Sequence, residues 1–247
     1  MTPAVSASVS IVAPMFDEAA ELPRFARMIA RLTPAPLEAI MVDGGSSDGS
    51  AMIAQGMGLR VIASGIKGRA AQINAGVGAA GGDFILVIHL DTEVPEDACA
   101  VVARVLADAA TALAGFTPVI AGPQKTRWIS TFHNWIKTWY APLIFRPLSF
   151  LRGLRLLFGD HAMFFRRADF ARIGGLDPQM KIMEDADLCE KLARIGRVRL
   201  IDRIVITSDR RIAAWGAVRA NWTYFKVGLL WTLGHHRAAD DRYPDVR

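Results

Sequence analysis

The first ninety residues alternate between short apolar runs and helical patterns, and few architectures accept that rhythm. Runs at 9–13, 39–42, 60–63 and 84–90 are separated by stretches with helical periodicity starting near Ala19, Gly49 and Arg69. Continuous apolar strands joined by helical crossovers predict a mostly parallel sheet covered on both faces. In such sheets ligands lie at the strands' carboxyl ends. Each of those ends carries polar residues: Pro14 to Glu18 after the first, Asp43 with a Gly/Ser turn after the second, Lys67-Gly68-Arg69 after the third, and His89-Leu90-Asp91 at the end of the fourth.

The turn after Val42 reads Asp43-Gly44-Gly45-Ser46-Ser47-Asp48-Gly49-Ser50. An acid delivered by a strand can accept hydrogen bonds from a base or ribose, glycines admit a ligand close to the backbone, and Ser47 or Asp48 can cap the next helix. A loop that only caps itself is the alternative. Lys67 and Arg69 flank a glycine where a helix begins, so their charges and the free N–H groups can converge on a phosphate. Read as the end of a strand, His89 and Asp91 project to one side, where an imidazole and a carboxylate can hold a divalent cation against a diphosphate. The competing reading makes His89 a core residue and Asp91 a helix cap.

The second half is less regular, with apolar segments at 112–120, 162–165 and 199–207 and a helix over 184–195. Glu184 and Asp185 open that helix. First-turn acids suit the helix dipole without any further role, but the Gly174-Gly175 turn before them suggests a flexible rim where a general base is useful. No repeat or linker divides the chain, so one continuous α/β domain is expected over residues 1–210, followed by an amphipathic helical segment over 211–247.

Residues 121–158 form an insertion with Lys125, Arg127, Lys137, Arg146, Arg152 and Arg155 and no acid. Trp128, Phe132, Trp135 and Trp139 recur at helical spacing, making one stripe that either faces the core or lies at an anionic membrane surface. Trp215, Trp222 and Trp231, with Arg219 and Lys226, can extend it. The net charge of +5 suits anionic partners. Nucleic acid ranks low, since no recognised binding motif accompanies the charge. Two distant cysteines argue against a disulfide framework, and neither a leader nor a spanning segment is read, which predicts a cytoplasmic protein able to sit peripherally at the inner face of the membrane.

These motifs, in this order, resemble family 2 glycosyltransferases of the GT-A fold over roughly residues 8–210, and most closely the bacterial radical-SAM/selenodomain-associated transferase 2 type. The resemblance implies a nucleotide-diphosphate sugar donor, a UDP-sugar ahead of a GDP-sugar, an unidentified acceptor hydroxyl, and inversion at the anomeric carbon. It implies that Pro14, Asp17, Glu18 and Asp43 lie at the nucleotide, Lys67 and Arg69 near the diphosphate, and Gly159 and Asp160 near the donor sugar and acceptor. Asp91, with His89, takes the place of the family's metal motif for Mg²⁺ or Mn²⁺, and Asp185, beside Glu184, that of the general base. Asp17 stands where many relatives have Asn, and His89 where the wider family has Asp. The alternative to an enzyme is a degenerate fold that only binds nucleotide sugars.

Overall fold

The computed structural model describes residues 8–232. Its elements, in chain order, are β1 (Val9–Met15), α1 (Leu22–Arg31), β2 (Glu38–Asp43), α2 (Ser50–Gly56), β3 (Arg60–Ala63), α3 (Arg69–Ala79), β4 (Phe84–Val87), β5 (Thr92–Glu93), α4 (Ala98–Leu106) and β6 (Thr111–Ala121). There follow α5 (Trp128–Phe145), α6 (Pro147–Leu151), a 3₁₀ turn (Gly159–His161), β7 (Phe164–Arg166), α7 (Arg167–Arg172), α8 (Glu184–Leu192), β8 (Arg197–Ser208), α9 (Arg210–Trp215) and α10 (Ala217–Thr232).

One eight-stranded sheet has the order β3-β2-β1-β4-β7-β6-β8-β5. β3, β2, β1 and β4 are mutually parallel, β6 and β8 pair in parallel, and β7 and β5 run antiparallel to their neighbours. This arrangement gathers the site. The carboxyl ends of β1 to β4, β6 and β8 share one edge with the amino ends of the two reversed strands, so the turn before β7 joins the loops after β1, β2, β3 and β4.

The sheet is buried on both faces because its strands alternate. Val9, Ile11, Ala13 and Met15 pack with Leu22, Phe25 and Met28 of α1 and Val101 and Val102 of α4, whereas Val12 packs with Ile40, Val42 and the α3 residues Ala70, Ile73 and Val77. α3 lies close against the strands because it is poor in bulk: a Cβ on Gly76 would fall 2.3 Å from Val12 Cγ1 and 2.9 Å from Val42 Cγ2.

The expected strand over 84–90 is shorter than anticipated. β4 ends at Val87, and the Thr92 N–H donates to the His89 carbonyl at 2.9 Å, closing a turn. His89 and Asp91 therefore belong to a turn and are not related by strand alternation. The helix expected near Ala19 begins at Leu22, one residue before Pro23, whose ring suits a first helical turn. Of the segment over 211–247, the described part holds α9 and α10; residues 233–247, and the side chains of Trp215 and Trp231, lie outside the described residues.

Candidate active site

The loops after β1 and β2 are laced together. Asp17, in the left-handed region at φ 51°, accepts from the Ser47 and Asp48 N–H groups at 2.7 and 3.3 Å, and Ser46 Oγ bonds back to the Asp17 N–H at 3.0 Å. The Glu18 N–H reaches Ser50 Oγ at 2.9 Å. From beneath, buried Gln72 donates to the carbonyls of Met15 and Val42, both at 2.7 Å, tying the two strand ends together. Asp43 accepts from Ser46 Oγ at 2.6 Å and from the Gly45 and Ser46 N–H groups at 3.2 and 3.1 Å. The self-capping loop is thus present, and it also fixes the direction of the Asp43 carboxylate. Helix α2 is capped from one residue further back than a usual N-cap: Gly49 occupies the cap, and Asp48 accepts from the Ser50 N–H at 2.9 Å.

Lys67 places its ammonium 4.0 Å from the centre of the Phe16 ring, so the third loop reaches back over the first. Gly68, at φ 139°, turns the chain into α3, which begins with Arg69. Arg69 Nη1 lies 3.3 Å from Glu184 Oε1, joining the β3–α3 loop to the start of α8.

Glu184 and Asp185 are not on a rim. They are 2% and 8% exposed, because Met183 takes a left-handed turn and α8 starts beneath the 3₁₀ turn. The Gly159 N–H donates to Asp185 Oδ2 at 2.7 Å. Burial, then the charge of Glu184, push the Asp185 carboxyl well above its usual range, against the pull of Arg69 and the Gly159 N–H. Asp160, one residue away from Gly159, behaves in the opposite way. Burial raises it, but His161 at 2.9 Å, Lys137 and a hydrogen bond from Asn134 together hold it at about 2. Lys137 stacks 3.7 Å over the Phe158 ring, and burial brings it down to about 8 against the pull of Asp160 and Asp185. Two carboxylates of opposite tendency thus stand on either side of Gly159, a division suited to one proton acceptor and one permanent charge.

On the other flank, Asp91 Oδ2 is paired with Arg210 Nη2 at 2.8 Å, and the same nitrogen lies 3.2 Å from Glu18 Oε1. His89 turns its imidazole toward Gly159: a Cβ there would sit 2.2 Å from His89 Nε2. Among the described residues no group of three His, Cys, Asp or Glu side chains forms a metal cage. Two carboxylates nevertheless converge on one cationic nitrogen, which fits an ion held by few protein ligands and completed by phosphate and water.

Sequence reasoning missed Arg210, Lys137 and Asn134. Arg210 sits just past the carboxyl end of β8, the rule that found the other loops, and the Ser208-Asp209-Arg210 ending of that apolar segment carried the signal. Lys137 stands out in the sequence only as one of the insertion's cations. It lies on the side of α5 opposite the aromatic stripe, together with buried Asn134 and Thr138, because the polar face of that helix packs on the 3₁₀ turn. The stripe does not face the core: Trp128, Phe132, Trp135 and Trp139 are 69%, 60%, 41% and 37% exposed. Leu148 and Leu151 of α6 and Trp222 and Phe225 of α10 are exposed as well, and no described helix is long and apolar enough to cross a membrane.

No curated protein sequence matches the chain. Its fold is similar to that of a mannosyltransferase from Pyrobaculum calidifontis in complex with GDP-Man and Mn²⁺, at 17% identity and TM-score 0.69, covering 99% of this chain and 67% of that one. It is similar to glucosyl-3-phosphoglycerate synthase from Mycobacterium tuberculosis in complex with Mn²⁺, UDP and glucosyl-3-phosphoglycerate, at 17% identity and TM-score 0.59, over 92% and 80% of the two chains. It is also similar to S. aureus TarS in complex with UDP-GlcNAc, at 14% identity and TM-score 0.62, over 82% of this chain and 59% of that one. At such identities the likeness establishes the GT-A fold alone. Residues 10–174, more than half of the chain, match the description "Glycosyl transferase family 2", and the chain belongs to that family.

Proposed function

We propose that this glycosyltransferase moves a sugar from a nucleotide diphosphate to an acceptor hydroxyl with inversion. The observation that carries the reading is the gathering of Asp43, Lys67, Arg69, Asp91 and Asp185 at one edge of the sheet, with a carboxyl that burial makes basic beside Gly159. Asp43, with Pro14 and Asp17 shaping the adjoining loop, takes the base or ribose. Lys67 and Arg69 face the diphosphate, and Gly159 and Asp160 line the sugar and acceptor side. Asp185 accepts the acceptor's hydroxyl proton, the oxygen forms the new bond to the anomeric carbon, and the bond to the diphosphate breaks with its electron pair on the leaving oxygen. Arg69 joins Glu184 to that diphosphate and so links the two ends of the reaction.

A divalent ion, Mg²⁺ or Mn²⁺, would be held by Asp91 with Glu18 turned to the same point; when bound it supplies charge for the departing diphosphate. His89 is directed at Gly159, whose N–H donates to Asp185. The Mn²⁺ in two similar structures supports this reading.

The test is a thermal-shift panel of UDP-, GDP-, CDP- and dTDP-sugars with and without Mn²⁺ or Mg²⁺. A ligand that prefers the native state raises its stability, and no shift with any donor removes the proposal. Within that panel, Asp43→Ala is expected to weaken binding of the stabilising donor about tenfold, the loss of one or two hydrogen bonds to a charged group. Unchanged affinity would place the nucleotide elsewhere.

The acceptor side favours a lipid-linked substrate. Residues 121–158 and 210–232 carry no acid, expose the aromatic stripe on α5 with Trp222 and Phe225 on α10, and present Lys125, Arg152, Arg219 and Lys226 to solvent. That combination suits an anionic membrane surface, aromatics at headgroup depth and cations on lipid phosphates. The protein is expected to sediment with phosphatidylglycerol vesicles at low salt and to lose most of that binding as Trp128→Ser/Phe132→Ser. Equal recovery in the supernatant with anionic and neutral vesicles would refute peripheral docking.

A further inference from the structure

Arg210 starts α9 immediately after β8, and its backbone is held firmly. Its neighbour Asp209 is buried, bonded at 2.6 Å to Arg127 Nε, and packed so tightly on Gly122 that a Cβ there would fall 2.4 Å from Asp209 Oδ1. The side chain, by contrast, is held among the described residues by hydrogen-bonded ion pairs. Nη2 bridges Asp91 and Glu18, while Nη1 lies 3.9 Å from Glu21. Burial disfavours the guanidinium charge, but Asp91 and Glu18 more than offset this, so the cation is firmly kept. Arg24 Nη2 lies nearer to Glu21, 3.4 Å from its Oε2, so Asp91 and Glu18 are the carboxylates that hold the Arg210 side chain. A guanidinium has five N–H donors in a planar fork that matches phosphate oxygens, more than its two bonds to described residues use.

We propose that Arg210 is a donor-binding residue held in reserve: in the free protein it occupies the cation place at Asp91 and Glu18, and with donor bound its guanidinium turns to the diphosphate. This rests on the sugar-nucleotide reading above. It has a thermodynamic consequence, because Asp91 cannot serve Arg210 and a divalent ion equally. Metal alone competes with the ion pair, whereas metal and diphosphate together leave both Asp91 and Arg210 with partners. The two ligands therefore bind cooperatively, each raising the other's affinity by the same factor.

Calorimetric titration of the full chain with Mn²⁺ alone, with UDP or GDP alone, and with both together tests this without turnover. In the wild type, the nucleotide that binds is expected to tighten Mn²⁺ binding about tenfold or more. Arg210→Met should tighten Mn²⁺ alone, since Asp91 is released, weaken the nucleotide diphosphate about 10- to 100-fold, and reduce the cooperativity. Arg210→Lys keeps the charge without the fork and should fall between the two, which also guards against a folding defect in the Met variant. Nucleotide affinity equal in wild type and Arg210→Met, or Mn²⁺ binding no tighter in the variant, overturns the assignment. A wild type that binds neither UDP nor GDP is a different result, since it sinks the donor reading itself.

Discussion

Asp185→Asn is expected to lower kcat by about 10²- to 10⁴-fold while leaving donor affinity within about twofold. Asn keeps the shape and can accept the Gly159 N–H, so the buried start of α8 retains its bond. What disappears is the ability to take a proton. The wild-type enzyme should also lose rate on the acid side at a pH above the usual carboxylate range: burial and Glu184 raise this carboxyl, so the basic form is depleted as pH falls through that raised value. Asp160, held at about 2, stays ionised throughout and contributes no limb there. Steady-state rates across pH with the donor from the thermal-shift panel, and calorimetric affinity for the same donor, decide it. If the wild type binds donor yet shows neither transfer nor hydrolysis with any acceptor, the chain is a binding protein. If Asp185→Asn keeps its turnover, the base is another group.

A second large effect belongs to the fold. Gly76→Val should cost about 3 kcal/mol or more, because its branches would have to enter space already filled by Val12 and Val42, and overpacking a dense interior typically costs 1–3 kcal/mol even for smaller insertions. The same helix supplies the control. Gly78 faces open space with no atom within 4 Å of an added Cβ, so Gly78→Ala is expected to stabilise by about 0.5–1 kcal/mol through helix propensity. Urea unfolding measures both, and a Gly76→Val variant as stable as the parent would mean that α3 stands further from the sheet than described. A smaller stability loss should accompany retained but weaker donor binding, since Gly76 lies beneath the strands whose ends hold Asp17 and Asp43.

Much of this architecture could be read along the chain because its signals are local. The strands over 9–13, 39–42 and 60–63 and the helix beginning at Arg69 need only apolar runs, crossovers and a glycine before the first turn. The donor-side loops followed directly, since parallel strands deliver their carboxyl ends to one edge. Contacts between distant segments were harder to see. Pairing of Asp91 with Arg210 spans 119 positions and depends on β8 entering the sheet in parallel beside β6, which no local pattern announces. The turn at His89 to Thr92 was hidden for another reason: Ile88 and Leu90 are fully buried and extend the apolar run past the point where the strand stops. Burial of Glu184 and Asp185 depends on the 3₁₀ turn settling over α8, so first-turn acids that would ordinarily face water became interior charges.

The two faces of α5 set a length scale for the acceptor. Its exposed aromatics and the Asn134–Lys137 side that reaches Asp160 are separated by the thickness of one helix, about 10 Å. With the proposed acceptor side at Asp160 and the stripe on a surface, the reacting hydroxyl would be presented about that far above it. For the proposed lipid-linked acceptor this is the depth of the headgroup, so the hydroxyl would belong to the first sugar or phosphate-proximal unit, and an acceptor carrying a long glycan would have to fold its tip back toward the bilayer to be glycosylated.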